Sequence, residues 1–108
     1  MTQTNGEESR RYRTIWPENT KQQIRELSKQ ADQLGVGQPF LSALKEVEEF
    51  LRSDPVSFGE VLRVLKETGL EERHGTHSLF SVRYAVDRSL YLVYVLSCAC
   101  VGHGFRDV

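Results

Sequence analysis

The sequence predicts an α+β fold in which a short N-terminal strand and a helical hairpin precede a three-stranded antiparallel sheet, with both helices packed on one sheet face. Three observations carry that expectation. Residues 79–101 are dominated by β-branched and aromatic side chains and are broken once, at Asp87, Arg88 and Ser89, which is the pattern of a β-hairpin. Upstream lie two segments whose apolar residues recur at helical spacing. A glycine-containing break joins those segments, so they fold back on each other, and the greasy side of the hairpin is the natural bed for both.

Taken in order, residues 1–10 are polar and read as a disordered tail, which leaves 11–108 as a single domain. Tyr12, Thr14 and Trp16 alternate along a short strand that Pro17 ends. Thr20 and Gln23 have the spacing of a capping box at a helix start. Ile24, Leu27, Ala31 and Leu34 then form one helical stripe, with Lys21, Arg25, Glu26, Lys29 and Asp32 toward solvent. Gly35 and Gly37 interrupt, and Pro39 suits the first turn of a second helix. That helix runs to about Arg52 and carries Phe40, Leu44, Val47 and Leu51 on one face. Ser53, Asp54 and Pro55 stop it, because a residue before proline avoids the helical region. Residues 60–66 read as a strand, and 69–75 as a charged loop leading into the hairpin.

The hairpin register follows from an even connection, with a four-residue turn from Asp87 to Leu90 favoured over the poor two-residue turn Arg88-Ser89. Val86 then faces Tyr91, Tyr84 faces Val93, Val82 faces Val95 and Phe80 faces Ser97, giving an apolar side. On the reverse, Arg83 faces Tyr94, Leu79 faces Cys98 and His77 faces Cys100.

With 108 residues, 27% of them charged and 39% hydrophobic, the chain has the balance of one soluble domain, and its formal net charge of -1 gives no global attraction to nucleic acid. The start has no apolar signal core. The longest uncharged apolar run, 90–101, falls short of the roughly 20 residues of a spanning helix, so a cytoplasmic protein is expected. Cys98 and Cys100 are two apart on a strand, a Cα separation of about 6.6 Å at the limit of disulfide geometry, and are expected as thiols.

Two groups of residues resemble a known family: Ser53, Asp54 and Pro55 with Phe58, Gly59 and Glu60 after the helices, and Val82, Arg83, Tyr84, Ala85, Val86 and Asp87 followed by Leu92, Val93, Tyr94, Val95 and Leu96. Together with the element order they resemble the RelE/ParE toxin superfamily of type II toxin–antitoxin systems over nearly the whole chain. The resemblance implies a small cytoplasmic toxin held by an antitoxin protein and acting on mRNA at the ribosome or on DNA gyrase. It also implies an open sheet face bearing arginines, with an aromatic or histidine group near the end of the chain. Arg83 matches the strand arginine, Arg63 and Lys66 are candidate nucleic-acid contacts beside it, and His103 stands for the terminal group.

RNA cleavage through the 2′-hydroxyl requires a base, cationic stabilisation of the phosphorane and an acid for the leaving oxygen. The catalytic candidates are Arg83 for charge, Tyr94 as stacking or acid group and His103 as base or acid. The plainer alternative, a cross-strand cation–π pair of Arg83 over Tyr94 worth about 0.5–1 kcal/mol, is favoured for that pair. His74, His77, Cys98, Cys100 and His103 do not have zinc-knuckle spacing, so neither metal nor cofactor is expected. No serine has a nucleophile elbow, and Gly35-Val36-Gly37 lacks the lysine of a phosphate loop. The competing function is a non-enzymatic protein-interaction module.

Overall fold

The structure is a computed structural model that describes residues 10–102, 104 and 105. Residues 1–9 of the expected 1–10 tail and the candidate His103 lie outside the described residues. Eight elements follow one another: β1 (Arg13–Ile15), α1 (Glu18–Gln33), α2 (Gly37–Ser53), the single turn α3 (Pro55–Phe58), β2 (Glu60–Val64), β3 (Glu71–His77), β4 (Phe80–Asp87) and β5 (Leu92–Cys100). The strands make one sheet of order β1-β5-β4-β3-β2, parallel only where β1 meets β5. This corrects the expected three-stranded sheet to a mixed sheet of five strands. β1 joins it as an edge strand, and the supposed charged loop forms β3 between β2 and β4. β2 itself stops at Val64, and Lys66 lies in the turn that follows.

Alternation along β4 sets the two faces. Phe80, Val82, Tyr84 and Val86 are buried against the helices, while Arg83 is exposed on the reverse. From the helical hairpin, Leu27, Ala31, Phe40, Val47 and Leu51 complete the core, with Ile24, Leu44 and Trp16 packed around it. Each fully buried large aliphatic or aromatic side chain contributes about 1.5–3 kcal/mol. The expected stripe on α1 ends at Ala31, because the helix stops at Gln33 and leaves Leu34 41% exposed.

The hairpin keeps the expected parity near its turn, but the connection is Arg88 to Tyr91, so the pairs from Tyr84 to Asp87 slide by two: Val86 faces Val93 and Asp87 faces Leu92. Asp87 sets this turn, its carboxylate accepting from the backbone N–H of Ser89 and Leu90 and from the Ser89 hydroxyl. At Leu96 a bulge shifts the register once more, so that Tyr84 faces Val95 while Arg83 faces Ser97. The bulge turns Cys98 and Cys100 into the core opposite Val82 and Phe80, which corrects their expected place on the reverse face.

β1 ends at Ile15, leaving the same edge of β5 without a strand from Val95 onward. Helix α1 fills the gap with side chains. The Thr20 hydroxyl, fully buried, donates to the Val95 carbonyl at 2.7 Å, and the Gln23 amide oxygen accepts from the Cys98 N–H at 3.0 Å. The expected capping box is therefore not formed: the helix starts at Glu18 behind Pro17, and the two polar residues are committed to the sheet.

Two predictions follow from this packing. Thr20→Val keeps the shape but orphans a buried carbonyl, and should lower unfolding free energy by about 1–3 kcal/mol in urea titrations, with Thr20→Ser losing much less. Burial pushes the Tyr84 phenol from 10.0, and the Cys98 and Cys100 thiols from 9.0, up to about 12. The native state holds these protons where the unfolded chain has already released them, so stability should fall as pH rises from about 9 to about 12. Tyr84→Phe should flatten the part of that fall above about pH 10.

Candidate functional site

On the face away from the helices, residues from five strands fall into cross-strand rows. One row runs Arg63 on β2, Glu72 on β3, Ala85 on β4, Tyr94 on β5 and Ile15 on β1; beside it, His74 and Ser97 flank Arg83. The centre is Glu72, whose side chain is 8% exposed although no helix covers it. Two guanidinium groups close over its carboxylate: Arg63 Nε donates to Oε1 at 2.8 Å, and Arg83 Nε lies 3.0 Å from Oε2. His74, the next residue on this face of β3, shares a 2.7 Å hydrogen bond between its Nε2 and Ser81 Oγ.

Both bulges bear on this arrangement. Leu62 is skipped in the pairing of β2 with β3, so Arg63 rather than a leucine stands opposite Glu72. Leu96 is skipped in the pairing of β5 with β4, so Ser97 rather than a leucine stands opposite Arg83. Each irregularity exchanges an apolar neighbour for a polar one beside the ion-paired carboxylate, and bulges concentrate where a strand must re-aim a side chain.

The sequence candidates meet this geometry unevenly. Arg63 and Arg83 come together, through a residue that the sequence reading left in a loop. Tyr94 shares their face but lies opposite Ala85, diagonal to Arg83, so the direct Arg83/Tyr94 pairing is corrected. The guanidinium of Arg83 goes to Glu72, and the cation–π contact among the described residues is Arg10 over Tyr91 at 4.7 Å. Between Glu72 and Tyr94 lie two strand spacings, about 10 Å, with only the small Ala85 between them. Lys66 is exposed beyond the end of β2 and is not part of these rows. The missed residues are Glu72 and His74; the signal for them is the alternation Glu72, His74, Thr76 on one side of a polar strand.

The opposite side of β3 explains why the strand holds its place. Arg73, 7% exposed, donates from Nη1 to the carbonyls of Val56 and Gly59, both at 2.6 Å, and from Nε to Glu71. The Tyr84 hydroxyl donates to the Pro55 carbonyl at 2.6 Å, so β3 and β4 both grip the one-turn helix α3. The grip needs close approach: a Cβ on Gly59 would lie 2.5 Å from the His74 carbonyl oxygen, and one on Gly75 would lie 2.6 Å from the Phe58 ring. Burial works to raise Glu71, yet hydrogen bonds from Arg88 and Arg73 outweigh it and hold the carboxyl below its usual range.

Chemically, the open face offers a carboxylate, an imidazole with a hydroxyl partner, two guanidinium groups and a phenol. His77 is bonded to Glu46 on the helix side, and among the described residues no three His, Cys, Asp or Glu side chains converge on a metal position. No described helix is long and apolar enough to cross a membrane. Comparison of the chain with protein-family models, with curated proteins and with solved structures gives no match in any of the three.

The clamp on Glu72 predicts strong coupling. Arg63 and Arg83 are each more than half exposed, so either one replaced by alanine should cost at most about 1 kcal/mol. Replacing both strands a nearly buried carboxylate, and the double variant should lose about 1–2 kcal/mol more than the sum of the singles in a denaturation cycle.

Proposed function

We propose that this protein is the toxin-like component of a type II toxin–antitoxin pair, cytoplasmic, and that it cleaves mRNA on the open face of its sheet as the RelE/ParE resemblance implies. The observation that supports this reading best is the Glu72 carboxylate held between Arg63 and Arg83 on a face that the helices leave free. Cationic donors, a carboxylate and an imidazole within two rows of one rigid sheet are the parts that phosphodiester transfer requires.

An RNA phosphate arriving on this face competes for the two arginines. As they turn to its non-bridging oxygens, Glu72 is released and takes the proton of the adjacent 2′-hydroxyl. The 2′-oxygen attacks phosphorus and the bond to the 5′-oxygen breaks. His74 gives a proton to that departing oxygen, which leaves a 2′,3′-cyclic phosphate and a 5′-hydroxyl. Tyr94 serves as a platform for the neighbouring base across Ala85, a stacking contact worth about 1–3 kcal/mol. Arg83 keeps the role expected of it, and Glu72 and His74 supply the proton transfers.

A second reading, an interaction module without catalysis, draws on β2. Every residue of this edge strand is exposed, and Val61, Leu62 and Val64 are about half exposed at an open hydrogen-bonding edge. Such an edge accepts an extended segment of another protein, and in the toxin reading that protein is the antitoxin.

Induced expression in a bacterial host, with mapping of mRNA ends, separates the two. Wild-type protein should arrest growth and generate 5′-hydroxyl ends, and Glu72→Gln should cut cleavage by about 10²–10⁴-fold while still folding. Equal arrest by both proteins, with no new mRNA ends, would eliminate the nuclease and leave the binding module or gyrase inhibition.

A further inference from the structure

Every arginine among the described residues is ion-paired to a glutamate except two, Arg10 and Arg13. Both line one cleft, of about 400 Å³, at the end of the sheet where β1 meets the β4–β5 turn. Its remaining walls are Arg11, Leu90, Tyr91 and Leu92. Leu90 is 66% exposed, an apolar side chain left wet beside uncompensated positive charge. Tyr91 is held in the left-handed region at φ 56°, a conformation that a tyrosine seldom adopts and that marks a position fixed by its surroundings. Its ring packs against Tyr12, at 5.0 Å between centroids, and lies under the guanidinium of Arg10 at 4.7 Å. The backbone N–H of Arg13 donates to the Tyr91 carbonyl, so the two sides of the cleft are tied together.

We propose that this cleft is a nucleotide subsite for single-stranded RNA, taking a backbone phosphate on Arg10 and Arg13 and a base against Leu90 and Tyr91. The chemistry separates it from a bare anion site: guanidinium groups without carboxylate partners would suit any phosphate, but here Arg10 covers the Tyr91 ring beside the apolar wall of Leu90, and as Arg10 turns to the phosphate a base takes its place on that ring. Its position fits as well. Arg13 faces Leu92, two residues along β5 from Tyr94, so the cleft opens at the margin of the face that carries Glu72. The subsite deepens the RNA-cleaving reading and rests on it for the identity of the nucleic acid. It holds the strand a few nucleotides from the bond to be cut.

The test uses the full chain and a short fluorescein-labelled single-stranded RNA, with binding read by anisotropy at several salt concentrations. Arg10→Ala with Arg13→Ala should weaken binding at least tenfold and flatten the salt dependence by about 0.7 in slope, the value for the one phosphate they share. Tyr91→Ala should cost about tenfold, with Tyr91→Phe binding as wild type, since a ring without its hydroxyl still stacks. Arg25→Ala, on the far side of α1, should change nothing. Melting curves of each variant show whether the fold is kept. Unchanged affinity in the folded arginine or tyrosine variants overturns the subsite, whatever becomes of cleavage, and so does absence of binding by the wild type. If heparin binds with the same arginine dependence and RNA shows no dependence on Tyr91, the cleft is a polyanion site and the base pocket is wrong. If the subsite variants behave as expected while Glu72→Gln cleaves normally, the subsite stands and the assignment of the carboxylate fails.

Discussion

A strand edge inside a protein must find partners for its main-chain groups, and the edge of β5 past Ile15 is where this fold meets that constraint. A longer β1 would have met it with backbone, but the chain instead turns at Pro17 and lays a helix alongside. Thr20 and Gln23 act as surrogate strand residues, one accepting the duty of a donor to Val95, the other that of an acceptor for Cys98. The consequence is sidedness. With α1 fixed to that edge and α2 packed beside it, both helices lie over Tyr84, Val86 and Val93, and among the described residues no second layer covers the opposite face.

That bare face reaches low exposure by another means. Glu72 is covered by two long side chains whose charges it balances, so a carboxylate sits nearly dry on a surface that has no helix above it. Coverage by arginine is reversible in a way that coverage by a helix is not, because a side chain swings aside by rotation about its own bonds with no change in the backbone. The rigid part of the arrangement lies beneath, where Arg73 and Tyr84 bind β3 and β4 to the carbonyls around α3. A static frame and a movable cover are thus separated by the thickness of one sheet.

Much of the frame was legible from residue patterns. The apolar stripes of Leu27 and Ala31 and of Phe40, Val47 and Leu51 face the core as their spacing predicts, Gly35 takes the left-handed conformation that ends α1, and the two long strands lie where β-branched residues concentrate. What escaped was polar. β3 carries Glu71, Glu72, Arg73, His74 and His77 in seven positions and has none of the apolar alternation by which a strand announces itself, because its side chains are satisfied by ion pairs that only the folded sheet creates. Thr20 and Gln23 matched a capping pattern but were taken by a tertiary contact, which outranks a local one when the main-chain groups at stake are buried. The skipped leucines at 62 and 96 obey no local rule at all; without them neither the Arg63 pairing nor the inward turn of the cysteines follows from counting by twos. The candidate site was therefore half visible, its arginines readable and its carboxylate and imidazole not.

The inward turn of Cys98 and Cys100 has a chemical corollary. Burial keeps both sulfurs in the protonated form far above neutrality, and their neighbours Val82 and Phe80 exclude the small oxidants that attack a thiolate. Both thiols are therefore inert while the core is packed: peroxide, alkylating reagents and disulfide exchange all find the sulfur atoms shut away so long as the helix-side face of β5 stays covered, and labelling of these thiols becomes a clock for its opening.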